Sequence, residues 1–234
     1  MSEDQKSCQN CNRPIPEDGR FCPECGQSTL DIRQPVVPVL KQLFGEAFDW
    51  DGRLLTTLRH MMCSPGRLTR EYTLGHRVRF TPPLRVYLAV SVLFFFVFPV
   101  IIPLSQAENT VAPSDQTAEN YSKMMFLLLP VFALLVKLFH KRDFYMQHLV
   151  FSMHLFSAMF IVFAVMLSME NLADQSYWWV AAQVSVFGYM VWYLITALKV
   201  SFQQTWSMAL LKSAGLVALF LPALSGAIHL ASRI

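Results

Sequence analysis

"GHRVRFTPPLRVYLAVSVLFFFVFP", residues 75–99, runs from a knot of arginines straight into apolar chain. No charged residue follows Arg85 until Glu108. A helix of about 20 apolar residues suffices to cross the hydrocarbon of a bilayer. The stretch therefore predicts a first membrane span at about 84–104, with Pro82 and Pro83 stiffening its approach.

Four more apolar runs follow, and the spans they predict are 121–139, 147–168, 177–197 and 212–231. Composition agrees. Of 234 residues, 54% are hydrophobic and 15% charged, against about 25% charged in an ordinary soluble domain. Trp178, Trp179, Trp192, Tyr177 and Tyr193 stand where interfacial aromatic belts would lie. The expected fold class is an all-α membrane protein. It has about five transmembrane helices, an N-terminal four-cysteine zinc ribbon and amphipathic juxtamembrane helices. The expected domains are 1–30, 31–83 and 84–234.

Lys and Arg set the expected orientation. With the N-terminus inside, seventeen fall on the inner side, the later ones being Lys137, Lys141, Arg142, Lys199 and Lys212. Only Lys123 and Arg233 fall outside. The positive-inside rule then puts the N-terminus in the cytoplasm and the C-terminus outside. The polar start "MSEDQKSCQNCNRPIPEDGRF" lacks the pattern of a cleavable signal, so the spans are expected to direct insertion.

Four of the five cysteines lie at 8, 11, 22 and 25. Two CxxC knuckles can supply four thiolates to one tetrahedral metal. Zinc is the expected cofactor. Two disulfides and a rubredoxin-like iron site are the competing readings, and a reducing cytosol disfavours the first. Four protein thiolates leave no open position, so Cys8, Cys11, Cys22 and Cys25 are read as a structural site. Asp18-Gly19 reads as a turn between the knuckles, and Phe21 as the small apolar plug of the ribbon. The head carries more acids than bases, so nucleic acid is not an expected partner.

Between head and membrane, apolar residues recur at helical spacing. Val36, Val39, Leu40, Leu43, Phe44, Ala47 and Phe48 mark one helix. Leu54, Leu55, Leu58 and Met62 mark a second, with Asp51 as its cap. "SPGRLTREYTLG" reads as a third, capped by Ser64 and terminated by Gly75. Two placements stay open. The helices lie flat on the membrane with Phe44, Phe48 and Trp50 dipping in, or they pack together as a small soluble subdomain. Cys63 has no partner nearby and reads as a small buried residue.

Arg67, Arg70, Arg77, Arg79 and Arg85 cluster within nineteen residues, with Glu71 as the one acid among them. They are an orientation signal and attract anionic lipid at about 1 kcal/mol each. A shaped site for an anionic headgroup is the sharper reading of the same residues. Within the spans, polar residues are sparse. His148 and His154 are six apart and face different ways, so they read as hydrogen-bonded bundle histidines. No paired carboxylates, metalloprotease motif or nucleophile elbow appears, and an enzyme is not expected.

One resemblance adds to this. "CQNC…FCPECGQ" followed by "TLRHMMCSPGRLTREYTLGHRVRFTPPLRVYLAVSVLFF" resembles a family of uncharacterised bacterial integral membrane proteins headed by a zinc ribbon. The resemblance rests on Thr57-Leu58, Pro65-Gly66, Glu71-Tyr72, Gly75 with Arg77, and Pro83, Leu84, Arg85, Tyr87 and Leu88. Asn12 stands where the first knuckle often continues with Gly, and Asn tolerates a left-handed backbone. The resemblance implies a bacterial inner-membrane location and no known activity. The expected function is a non-enzymatic membrane protein whose cytosolic ribbon docks a protein partner or regulates the bundle. The alternative is a small carrier or flippase for an anionic lipid, working as a homo-oligomer and gated at the arginines.

Overall fold

The computed structural model describes residues 7–16, 19–29, 53–105, 115–170 and 177–231; side chains are described for 7–16, 19–29, 53–95, 126–166 and 178–229. Asp51 as a cap, the helix through Val36–Phe48 and the residues Asp18, Phe44 and Trp50 lie outside the described residues.

Seven helices follow the head among the described residues: α1 Leu54–Cys63, α2 Arg67–Thr73, α3 Pro83–Ser105, α4 Asp115–Phe139, α5 Tyr145–Glu170, α6 Tyr177–Ser201 and α7 Trp206–Ala231. Among the described residues, three segments are long and apolar enough to cross a membrane: Tyr145–Met166, Trp178–Ser201 and Trp206–His229. At 22 to 24 residues each spans about 33–36 Å, against about 30 Å of hydrocarbon. By length and composition these helices suggest a membrane protein. Helices stand at the other two expected positions as well, with shorter apolar segments Pro83–Phe95 and Phe126–Phe139.

α5 is the hub. It packs against α1, α2, α3, α4 and α6, while α7 packs against α4 and α6. Every residue from 148 to 158 is buried, which requires small side chains where helices approach closely. Ser152, Ser157 and Ala158 supply them. The two serines donate back to the carbonyls of His148 and Met153, at 2.8 and 2.7 Å, so neither of their hydroxyls is stranded. Phe132, Phe156 and Phe220 close the contact of α4, α5 and α7 edge to face. α6 and α7 instead leave apolar side chains outward, among them Val184, Phe187, Leu211 and Leu221. That is the pattern of a lipid-facing surface.

The α1–α2 hairpin is seated on the bundle. The last carbonyls of a helix lack partners within it, and α6 satisfies them here. Tyr193 and Tyr189 donate their hydroxyls to the carbonyls of Met61 and Met62, at 3.0 and 2.9 Å. Thr69 Oγ1 lies 3.0 Å from His154 Nδ1 on α5. The two helices pack against each other and also against the bundle, a contact that neither expected placement included. An amphipathic period says that a face is buried but not which surface receives it.

The start of α2 also differs. Ser64 does not cap it; the cap position is Gly66, left-handed at φ 78°. A Cβ on Gly66 would stand 2.6 Å from the Ala197 carbonyl oxygen, so the turn presses backbone to backbone against α6. Gly75 follows α2 as expected, at φ 97°. Cys63 is exposed, not buried. α7 begins at Trp206 and carries Lys212 inside it, so that lysine does not mark the helix end.

Candidate metal centre and arginine cluster

The head consists of two copies of one local turn. In the first, Cys8 N donates to Arg13 O and Asn12 N to Cys8 O; in the second, Cys22 N donates to Gln27 O and Gly26 N to Cys22 O. Each turn needs a left-handed residue directly after its second cysteine. Asn12 at φ 58° and Gly26 at φ 70° provide it. Isolated bridges Ser7–Pro14 and Phe21–Ser28 close each turn. Phe21 is 63% exposed, and the plug is Ile15, buried with Cys8 and Cys22. Phe21 is bridged to Ser28 within its own knuckle, and its side chain stays outside the cluster of Cys8, Ile15 and Cys22.

The two turns face each other and bring four sulfurs together. Cys8 Sγ lies 3.6 Å from Cys25 Sγ, and Cys11 Sγ 3.6 Å from Cys22 Sγ. All four lie within 4.8 Å of one another. A tetrahedral ion with sulfur at about 2.3 Å needs edges of about 3.8 Å. The donor set fits a metal. Backbone N–H groups of Cys25 and Glu24 donate to the Cys22 sulfur and hold its thiol down to about 7, against the effect of burial. At Cys11 the Arg13 N–H pulls in the same direction. Burial and the hydrogen bonds to Cys22, Cys25 and Cys8 outweigh it and push that thiol up to about 12. Without a cation the quartet shares its protons; with one, four thiolates can coexist.

Gln27 ties this centre to the rest of the molecule. Its backbone carbonyl closes the second knuckle. Its side-chain amide, buried, donates from Nε2 to the Gly75 carbonyl at 2.6 Å and accepts at Oε1 from Arg77 N at 3.0 Å. A Cβ on Gly75 would stand 2.2 Å from Gln9 Oε1, so glycine is what allows the first knuckle to lie this close. Sequence reasoning did not single out Gln27. A glutamine after a CxxCG knuckle carries no local signal of a partner fifty residues away.

The five arginines do not converge. Arg77 is buried, its backbone under the head and its guanidinium over the Tyr72 ring. Arg79 is exposed and lies over Phe80, and Arg85 is half-buried on α3. Arg67 and Arg70 line a crevice against α6 with Ser64, Glu71, Trp192 and Thr196. His154 is hydrogen-bonded to α2, while His148 faces the rings of His140 and Phe202. The two therefore point to different neighbours, as their spacing implied, but the hydrogen-bonded reading holds for His154 alone: both ring nitrogens of His148 are buried without a hydrogen-bond partner among the described residues.

Residues 51–95 match a family described as "Protein of unknown function (DUF3667)". The match covers α1, α2, the Gly75–Arg77 seat and the start of α3, and it stops short of the four cysteines. No curated protein and no solved structure matches the chain.

Proposed function

We propose that this chain is a five-span inner-membrane protein of a bacterium, with its N-terminus in the cytoplasm, its C-terminus outside and no catalytic role. Its zinc-ordered head regulates the bundle from the juxtamembrane seat. The Lys and Arg distribution supports the orientation, and the helices at all five apolar runs support the span count. Four sulfurs at tetrahedral spacing favour zinc in a structural role.

The observation that carries the reading is the double use of Gln27. One residue closes a knuckle with its backbone and holds Gly75 and Arg77 with its side chain. Metal occupancy therefore sets the knuckle, the knuckle aims the amide, and the amide fixes the segment between α2 and α3. A cytosolic protein that bound the head would pull on the same segment. This favours regulation of the bundle over a head that merely displays itself.

Native mass spectrometry of the purified full chain, followed by limited proteolysis, tests it. The expected result is one zinc per chain, lost in Cys22→Ser, with cleavage between residues 74 and 82 appearing in both Cys22→Ser and Gln27→Ala. A chain that binds zinc, yet protects that segment equally in Gln27→Ala, would contradict it.

A further inference from the structure

The crevice between the α1–α2 turn and α6 has the parts of a phosphate site, and it has a volume of about 430 Å³. That lies within the range of ordinary ligand pockets. Arg67 and Arg70 stand three apart on one face of α2 and both line it. Neither guanidinium has a carboxylate partner among the described residues. Glu71, the acid in the lining, has Oε2 2.8 Å from His76 Nδ1.

The opposite wall is α6. Ser152, Ser157 and Ser185 each donate to the carbonyl four residues back. Thr196 does not: the residue lines the crevice, and its hydroxyl is buried with no hydrogen-bond partner among the described residues. A buried hydroxyl left unpaired is costly, so an acceptor in the crevice would satisfy it. The walls are held at fixed spacing by Gly66 against Ala197, by the Ser201 hydroxyl on the Gly66 carbonyl at 3.2 Å, and by Tyr193 and Tyr189 on α1.

Depth identifies the source of the phosphate. Lys199 Nζ sits 4.1 Å above the Trp206 ring at the base of α6 and α7, the pairing expected at a membrane boundary. Thr196 is about 5 Å and Trp192 about 10 Å further along α6. Above them Val184, Phe187 and Val191 are exposed and apolar, on the face of α6 turned away from the crevice. Trp192 and Thr196 belong to Trp178–Ser201, a segment long and apolar enough to cross a membrane, so a phosphate between the arginines and Thr196 would sit near the end of that segment, at headgroup depth.

We propose that Arg67, Arg70 and Thr196 hold the phosphate of an anionic phospholipid, with Trp192 covering its glycerol. The guanidinium forks donate to phosphate oxygens, and the Thr196 hydroxyl donates to a third. The head takes no part, so this goes beyond regulation by the ribbon.

The test uses the full chain in detergent, with native mass spectrometry after addition of phosphatidylglycerol, of diacylglycerol with the same acyl chains, or of sn-glycerol 1-phosphate. Phosphatidylglycerol should be retained at least about tenfold better than the other two. Arg67→Gln with Arg70→Gln should lower its retention about tenfold, and Thr196→Val about threefold. Arg79→Gln and Gln27→Ala should leave it unchanged. Retention by the double variant equal to wild type, or by diacylglycerol equal to phosphatidylglycerol, would overturn the site. Glycerol phosphate competing at equal concentration would overturn the lipid as its occupant. Arg67 and Arg70 are exposed, and a melting curve matching wild type separates lost binding from lost folding.

Discussion

Among the described residues the head buries Cys8, Ile15 and Cys22 as its apolar core, while α5 alone buries an unbroken run from His148 to Ala158. In the bundle, small residues and aromatic edges let helices meet closely, and packing holds the structure. In the head, three side chains cannot offset the entropy of ordering its turns. A cation bound by four thiolates can, at on the order of 10 kcal/mol for structural zinc. The two regions meet at Gln27 and Gly75, where an element built around four cysteines that could hold a metal rests on a packing-dependent one. Whatever loosens the first should reach the second through that seat, and the reverse path should be weak.

The sharpest way to break this contrast is to remove the metal. Chelation, or Cys22→Ser, should unfold the head and leave the helical circular dichroism of the bundle nearly unchanged. Loss of helix in step with metal loss would show that the bundle also depends on the ion.

The two glycines come next. Gly66→Ala forces a Cβ at positive φ against the Ala197 backbone, which cannot yield as a side chain would. It should cost about 2–3 kcal/mol of bundle stability, seen as a lower melting temperature without loss of metal. Gly75→Ala meets the flexible Gln9 side chain instead. It should cost about 1–2 kcal/mol, felt as release of the head.

Gln27→Ala should cost about 1–3 kcal/mol through the unpaired Gly75 carbonyl and Arg77 amide. Its readout is protease sensitivity at the seat with zinc content intact. The smallest effect belongs to Phe21→Ser. The ring is exposed, so head stability and metal content should move by no more than about 0.5 kcal/mol. A large loss would return Phe21 to the core.

What could be read from sequence was what is encoded locally. Ligand spacing gives the knuckles, and the left-handed positions Asn12 and Gly26 follow from it. Apolar runs give the helices at all five positions, because length and hydrophobicity decide them without reference to neighbours. Long-range pairing was not readable. Nothing near Gln27 points to Gly75, and nothing in the α1 period points to Tyr189 and Tyr193. Ser64 looked like a cap, but contact with Ala197 moved the helix start to Gly66. Ile15 and Phe21 are equally apolar on paper, and only the geometry of the knuckles buries one and exposes the other. Five arginines close in sequence became at least three separate environments, because α2, the Gly75–Arg77 seat and α3 point them apart.

Hydrogen exchange of the full chain in detergent, zinc-loaded against chelated, tests the coupling of head to bundle most directly. The Arg77 amide is the reporter, since it donates to Gln27 in the seated head. The account predicts that chelation speeds exchange across residues 7–29 and at residues 75–77 together, with 148–158 unchanged. Fast exchange in the head while 75–77 stays protected would contradict it.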